Sequence, residues 1–367
     1  MLGRLLPLSF LVSAGLSGQS VLRPAANPSC TRCEIVIRPV VTLGDQEGEG
    51  ALHGEPYALA RDSRGRFVVA VPSGREERLY VYGSDGRLLH RVGPPGEGPG
   101  QVQSVRVIAI TSGDTLHVYD DVLGRHSVFG PDYRFVRSHQ SPRELSSVAF
   151  LANGTAIVAA NVNDPQRVGL LYHRFHANGN YLSSFGDSTQ ILSSSRPSVA
   201  VRRMAPSHSG GFWTAAWLYR FRLELWSSTG SLLRALEPEP GWFQPYDQIL
   251  GPTPERPPQA MLFGLWEDPF GRVWISGVTP GRNYRRGLGQ KKLIEGTEVF
   301  PVEDPERMWD GIIQVFDPAQ GVLLASRAID APFHFALPGD LFAGVRTDRD
   351  GLLSLEVVSV VLRTPRQ

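Results

Sequence analysis

Short apolar segments alternate with glycine-containing turns along most of this chain of 367 residues. The first copy of the pattern has a turn at residues 61–65, an apolar segment at 67–70 and a second at 79–82. A further turn, Ser84-Asp85-Gly86, precedes the segment 87–92. Turns that contain Gly, placed between short segments in which apolar and polar residues alternate, predict an antiparallel meander of four strands.

The same unit, with two turns, returns along the rest of the chain. Its later turns are Ser112-Gly113-Asp114, Pro131-Asp132, Asn153-Gly154, Asn178-Gly179, Gly210-Gly211, Thr229-Gly230, Pro269-Phe270-Gly271, Gln320-Gly321 and Asp350-Gly351. A repeat of four short strands at this spacing is typical of a β-propeller, in which each copy forms one blade. A β-sandwich would explain the short strands but not the repeated unit.

The sixth copy is one strand short. It predicts strands at 342–347, 352–356 and 357–363, while a surplus strand, residues 34–43, precedes the first copy. Pairing this N-terminal strand into the last blade would close the ring and remove its open edges. Pro39 is compatible with the outermost position, where one side of a strand makes no ladder hydrogen bonds. We therefore predict a single all-β domain over residues 34–367, a six-bladed β-propeller with four antiparallel strands per blade.

The units resemble NHL-type repeats, especially those of six-bladed propellers in exported bacterial proteins. The resemblance lies in the Asp62-x-x-Gly65 turn, in Tyr80-Val81-Tyr82-Gly83-Ser84-Asp85-Gly86 and in the glycine- and proline-rich connector at residues 93–101. The spacing of strands and turns resembles NHL repeats over nearly the whole domain, but the residue-by-residue match covers only the first blade. This resemblance implies the fold and little chemistry, because members of the family differ in function.

The first residues have the layout of a secretory signal peptide. Arg4 precedes an apolar run at residues 5–16, and small residues follow at 17–20. The run is too short to span a bilayer, which needs about 20 apolar residues. We therefore expect a signal peptide at residues 1–19 and an exported product, periplasmic or secreted, with no membrane insertion after its removal.

Both cysteines, Cys30 and Cys33, lie in the N-terminal segment at residues 20–33 as one C-x-x-C motif. A c-type haem would need His after the second Cys, where Glu34 stands instead, and a zinc site would need two more ligands. A local disulfide or two unpaired thiols remain. An oxidising compartment favours the disulfide.

The net charge of the chain and the catalytic motifs that it lacks limit the classes of function to consider. The chain has 37 basic and 36 acidic residues, whereas a nucleic-acid or membrane-surface partner would call for a basic excess. It contains no G-x-S-x-G, H-E-x-x-H or P-loop motif, and its nine histidines are scattered singly. We expect a monomeric scaffold rather than an enzyme, with a protein, a glycan or a small molecule as its partner.

Two segments interrupt the repeat and are candidates for binding. An insertion in the fifth copy, at about residues 277–310, contains Arg282, Arg285 and Arg286. It is either a lid or partner-binding flap, or a solvated excursion whose opposite charges pair with each other. Residues 237–258 contain seven prolines and Trp242, and form either a recognition loop or a connector between blades.

An analogy suggests a metal site. Six-bladed lactonase-like propellers hold a divalent ion in the central channel with Glu, Asn and Asp side chains. Carried over to this chain, the analogy implies Glu55, Asn161 and Glu267 as ligands, and oxygen ligands of this kind suit Ca²⁺. It also implies an alternative function, a metal-dependent hydrolase or lyase that uses the channel.

Overall fold

Six antiparallel sheets surround a central channel, so the predicted six-bladed β-propeller is confirmed. The computed structural model describes residues 21–46, 48–73, 76–162, 164–187, 201–294 and 297–364. The predicted signal peptide lies outside the described residues. No helix within these ranges has the length and apolar character needed to cross a bilayer.

Each blade runs outward from an inner strand at the channel to an outer strand at the rim. Blade 1 contains Ala58–Arg61, Phe67–Ser73, Glu76–Tyr82 and Leu88–Val92; blade 2 contains Val105–Thr111, Thr115–Asp120, Arg125–Phe129 and Phe135–Gln140; blade 3 contains Leu145–Phe150, Thr155–Ala160, Leu170–His176 and Tyr181–Asp187. Blade 4 contains Arg202–Pro206, Phe212–Ala216, Leu223–Trp226 and Leu232–Leu236; blade 5 contains Met261–Glu267, Val273–Pro280, Trp309–Asp317 and Val322–Ile329; blade 6 contains Phe335–Leu337, Leu341–Thr347, Leu353–Arg363 and Glu34–Leu43.

The N-terminal strand Glu34–Leu43 closes blade 6, as predicted. It pairs antiparallel with Leu353–Arg363, and its register shifts between Pro39 and Val41. The internal division of this blade differs from the prediction, because the two strands expected at 352–356 and 357–363 form one continuous strand. The true inner strand, Phe335–Leu337, has only three residues, too few to show an alternating pattern.

The segment before the closing strand crosses the rim of three blades. Val21–Leu22 adds a parallel fifth strand to blade 4, and Ser29 donates two hydrogen bonds to the carbonyl oxygen of Leu323 in blade 5. Cys30 and Cys33 then form a disulfide with 5.4 Å between their Cα atoms, just before blade 6 begins.

The core is divided among the six blade interfaces, with one apolar cluster at each. Successive side chains of a strand point to opposite faces. In blade 1, Val68 and Ala70 therefore pack toward blade 2, while Phe67 and Val69 pack toward blade 6. A strand buried on both faces explains the continuous apolar run that the sequence shows there. Each fully buried Val or Phe contributes about 1.5–3 kcal/mol to folding.

The insertion is shorter and more ordered than predicted. The flanking strands of blade 5 pair as far as Pro280 and Trp309, which leaves residues 281–308 as the insertion. It contains two short 3-10 helices and one hairpin, formed by Tyr284–Gly287, Pro305–Arg307, and Lys292–Ile294 with Thr297–Val299.

Candidate functional site

The inner strands of all six blades line a channel of about 340 Å³. Each blade begins with its inner strand, so these strands run in the same direction and all start at one end of the channel. The insertion joins the second and third strands of blade 5, and such a connection lies at that same end. We call this end the insertion face.

A cleft of about 820 Å³ opens beside the channel on the insertion face. Residues 304–307 and Trp309 form one wall, and blades 5 and 6 form the others. Glu55, Phe263 and His334 line both the cleft and the channel, so the two spaces are continuous. The insertion therefore contributes one wall of a concave surface that is continuous with the channel.

His334 stands where the cleft meets the channel. Burial, followed by the positive charges of Arg346 and Arg203, lowers the pKa of His334 to about 4, so its imidazole is neutral at pH 7. Its ring packs edge-on against Phe263, with 5.0 Å between the ring centroids. The neighbouring Arg346 is held by an ion pair with Glu356 at 2.9 Å. The cleft therefore offers an aromatic wall beside a neutral hydrogen-bonding group.

Two of the three arginines predicted to bind a partner anchor the insertion to its neighbouring connectors. Arg282 forms ion pairs with Asp310 at 3.2 Å and with Asp330 at 3.0 Å. Arg285 donates to the carbonyl oxygen of Pro254 at 2.6 Å, in the connector between blades 4 and 5. The exposed side chain of Arg286 makes no hydrogen bond or ion pair with the described residues. The guanidinium groups of Arg282 and Arg285 are thus already engaged within the protein, whereas that of Arg286 has no such contact with the described residues.

Trp242 lies at the interface of blades 4 and 5. Its ring contacts Phe221 and Phe243, with centroid distances of 5.3 and 5.6 Å, and Phe243 is fully buried. The segment at residues 237–258 thus fills the core between two blades, as a connector would. This packing leaves only part of the Trp242 ring for a ligand.

The three predicted metal ligands lie in different settings. Glu55 is at the insertion face of the channel, and Asn161 donates to Glu144 at 3.3 Å in the connection between the second and third strands of blade 3. Glu267 is the last residue of the inner strand of blade 5, at the opposite end of the channel, where it accepts the backbone N–H of His208 at 3.0 Å. Among the described residues, no group of three or more His, Cys, Asp and Glu side chains could hold a metal ion. A Ca²⁺ site stays a prediction, and these three residues cannot form it together.

Three histidines that are isolated in the sequence meet on blade 2. The strand register pairs His126 with Tyr119 on one side and with His139 on the other. His117 Nδ1 and His126 Nε2 share a hydrogen bond of 2.9 Å, and both residues are about 5% exposed. The sequence could not reveal this cluster because its members come from three strands whose register is set only by folding.

Acidification is expected to destabilise the protein between pH 6.5 and pH 4. Burial, followed by the charge of Arg137, lowers the pKa of His117 to about 4, and burial, followed by the charge of His117, lowers that of His126 to about 3. The unfolded chain takes up these protons near pH 6.5, before the folded chain does. Stability is therefore present above pH 6.5 and is lost as the pH falls, by on the order of 3 kcal/mol per histidine.

Urea unfolding between pH 7.5 and pH 4 measures this loss. The double variant His117→Leu/His126→Leu should have a shallower pH dependence, because both partners of the hydrogen bond are replaced by apolar groups. His176→Gln, at an exposed histidine of blade 3, serves as the control. An unchanged slope in the double variant would assign the acid sensitivity to other groups.

Comparisons with known proteins support the fold of this chain but do not assign its function. No protein-family model matches the sequence, and no curated protein matches it. The resemblance to NHL repeats therefore stays a prediction.

Solved structures match nearly the whole chain at low identity. A candidate exported protein from Bacteroides fragilis is 10% identical, with a TM-score of 0.57 over 95% of this chain and 100% of its own. A member of the DUF4221 family from Bacteroides vulgatus is 8% identical, with a TM-score of 0.60 over 91% of this chain and 99% of its own. At such identities the similarity shows that all three chains share a β-propeller fold.

Proposed function

We propose that this propeller is an exported, non-enzymatic binding protein that holds a small molecule in the cleft on the insertion face. The observation that carries the proposal is the cleft itself, about 820 Å³ in volume and continuous with the channel. Pockets that bind small molecules fall between about 300 and 1,000 Å³. The rigid ring supports the walls, and the insertion supplies the part of the site that interrupts the blade repeat.

The lining of the cleft supports a ligand with both apolar and polar parts. Met261, Phe263 and Trp309 supply apolar surface, and His334 and Arg346 supply hydrogen-bonding groups. A mainly apolar wall with a few polar groups is the usual composition of such a site. A concave site of this size favours a small molecule over the protein or glycan partners that the sequence left open.

The position of the insertion also supports a role in binding. Its base is tied to both neighbouring connectors, through Arg285 to Pro254 and through Arg282 to Asp330. The described residues of its hairpin, 292–294 and 297–299, do not line the cleft. The base therefore defines the wall of the site, while the hairpin can be removed without changing that wall.

A thermal-shift screen of soluble metabolites, with calorimetry on each hit, tests the proposal. A compound that binds only the folded state should raise its stability by about 2.7 kcal/mol at a hundredfold excess over the dissociation constant. Trp309→Ala removes a wall of the cleft and should weaken binding at least about tenfold. Thr347→Trp places a large ring in the cleft from an exposed position and should block it.

The matched control is deletion of residues 290–300, with Gly289 joined to Pro301 through an inserted Asn-Gly pair. The backbone N–H of Gly289 already donates to the carbonyl oxygen of Pro301 at 2.8 Å, so an Asn-Gly pair inserted between these two residues can close the chain as a two-residue hairpin turn. This variant should bind each hit with unchanged affinity. The proposal fails if no compound binds with one-to-one stoichiometry, or if Thr347→Trp binds every hit as well as the original chain.

A further inference from the structure

Two arginines from different blades face the channel without a carboxylate partner. Arg106 lies on the inner strand of blade 2 and Arg203 on that of blade 4, and both line the channel. Neither takes part in an ion pair with the described residues, unlike the paired Arg272, Arg282 and Arg346. The guanidinium groups of Arg106 and Arg203 therefore lack the carboxylate partner that Arg272, Arg282 and Arg346 have in the described chain.

Arg203 is held in a fixed setting. Its Nε donates to the carbonyl oxygen of Leu262 at 3.4 Å, and its terminal nitrogens make no hydrogen bond with the described residues. The guanidinium carbon lies 5.7 Å from the ring centroid of Trp217 and 5.9 Å from that of Phe263. Such a half-buried cation between two rings is oriented before any ligand arrives.

The two positive charges act on each other. Burial, followed by the positive charge of Arg106, lowers the pKa of Arg203 to about 10, so the Arg203 guanidinium is charged at neutral pH. Like charges in a partly buried site are unfavourable, and an anion between them would offset that repulsion.

The rest of the channel adds little negative charge. Of the described residues that line it, Glu55 is the single carboxylate, and it lies at the insertion face without an ion pair in the described chain. Ser146 and Ser147 of blade 3 line the channel between blades 2 and 4. The lining thus places two guanidinium groups against one carboxylate, with hydroxyl groups nearby.

We propose that the channel binds the anionic group, a carboxylate or a phosphate, of a ligand whose remaining part occupies the cleft. Arg106 and Arg203 hold this group, and Phe263 and His334 mark the point where the ligand passes into the cleft. Guanidinium groups match the oxygen atoms of both anions, often with two hydrogen bonds at once. This inference rests on the proposed function and names the chemistry of its ligand.

Calorimetric titration of the chain from residue 20 with inorganic phosphate and, separately, with succinate tests the site at constant ionic strength. Succinamide, the uncharged analogue of succinate, is the ligand control. At least one anion should bind with one-to-one stoichiometry and a dissociation constant of about 1 mM or lower. Binding of phosphate alone assigns a phosphate group, and binding of succinate alone assigns a carboxylate.

Arg106→Gln and Arg203→Gln should each weaken anion binding at least about tenfold, because each removes a charge-assisted hydrogen bond. Arg38→Gln, at an exposed arginine of the closing strand, should leave the affinity unchanged. Arg106 is exposed, so Arg106→Gln should fold normally. It therefore tests the site even if Arg203→Gln impairs folding. Glu55→Gln should strengthen binding, because it removes the carboxylate that repels an anion.

The inference is overturned if neither anion binds, or if all three arginine variants bind with equal affinity. Weaker binding in Glu55→Gln would also contradict it. The two proposals fail separately. If anion binding requires both arginines but no compound binds in the cleft, the proposed function is wrong and the anion site still holds. If cleft ligands bind the Arg106 and Arg203 variants with unchanged affinity, the anion site is wrong and the proposed function still holds.

Discussion

A chain that begins at residue 44, without the strand Glu34–Leu43, is expected to lose its cooperative unfolding transition. The missing strand pairs with Leu353–Arg363 over almost its full length and buries Ile35 and Leu43 at two blade interfaces. Its loss would leave blade 6 with three strands, an open edge and exposed core on both sides. Circular dichroism during heating and size-exclusion chromatography would show a broad transition and association.

The control for this truncation is a chain that begins at residue 34. It loses Val21–Leu22, the Ser29 hydrogen bonds and the disulfide, but keeps the closing strand. We expect it to unfold cooperatively at a lower midpoint, since a disulfide that closes so small a loop contributes about 2 kcal/mol. If the chain from residue 44 melts as sharply as this control, the N-terminal strand does not hold the ring closed.

Much of the fold could be predicted because each blade repeats two local signals. Alternation of apolar residues specifies a strand, and a glycine turn specifies where the chain reverses. The prediction was wrong where these signals weaken. Phe335–Leu337 is too short for alternation. The predicted division of Leu353–Arg363 at residue 357 had no turn residue to support it, and the strand is continuous.

The cleft could not be predicted because its residues are far apart in the sequence. Glu55 precedes blade 1, Phe263 lies in blade 5 and Arg346 lies in blade 6, and only closure of the ring brings them together. The two segments that interrupt the repeat were candidates for binding because of their composition, and composition does not show where a side chain points. Trp242 faces the core and Arg282 pairs with Asp310, although both sit in segments that look exposed in the sequence.

Three Asp-x-x-Gly turns, which begin at Asp62, Asp268 and Asp348, share the same turn hydrogen bonds but differ in the further contacts of the Asp side chain. In each copy the Asp side chain accepts two backbone N–H groups of its own turn, and the Gly has a positive φ of 76–83°, where other residues are strained. The Asp62 and Asp268 side chains are fully buried and are paired with Arg66 and Arg272. The third, Asp348, is exposed and makes only the two turn hydrogen bonds.

Asp268→Ala is expected to destabilise the fold by about 3–5 kcal/mol, the usual cost of removing one partner from a buried ion pair. The other oxygen of this carboxylate accepts from Arg272 Nε at 2.6 Å and from Trp274 Nε1 at 2.9 Å. Its removal would leave a half-buried cation and a buried indole N–H without partners. Urea unfolding of the purified variant gives the loss directly.

Asp348→Ala is the matched control, because it changes the same residue in the same turn without a buried partner. Its expected cost is about 1 kcal/mol, the contribution of ordinary turn hydrogen bonds. Asp62→Ala should resemble Asp268→Ala, since Tyr133 donates to Asp62 at 2.9 Å as Trp274 does to Asp268. Equal losses at Asp268 and Asp348 would mean that the turn alone, and not the buried pair, carries the stabilisation. A difference of several kcal/mol would instead show that the buried contacts of Asp62 and Asp268 with their Arg and aromatic partners carry most of the stabilisation.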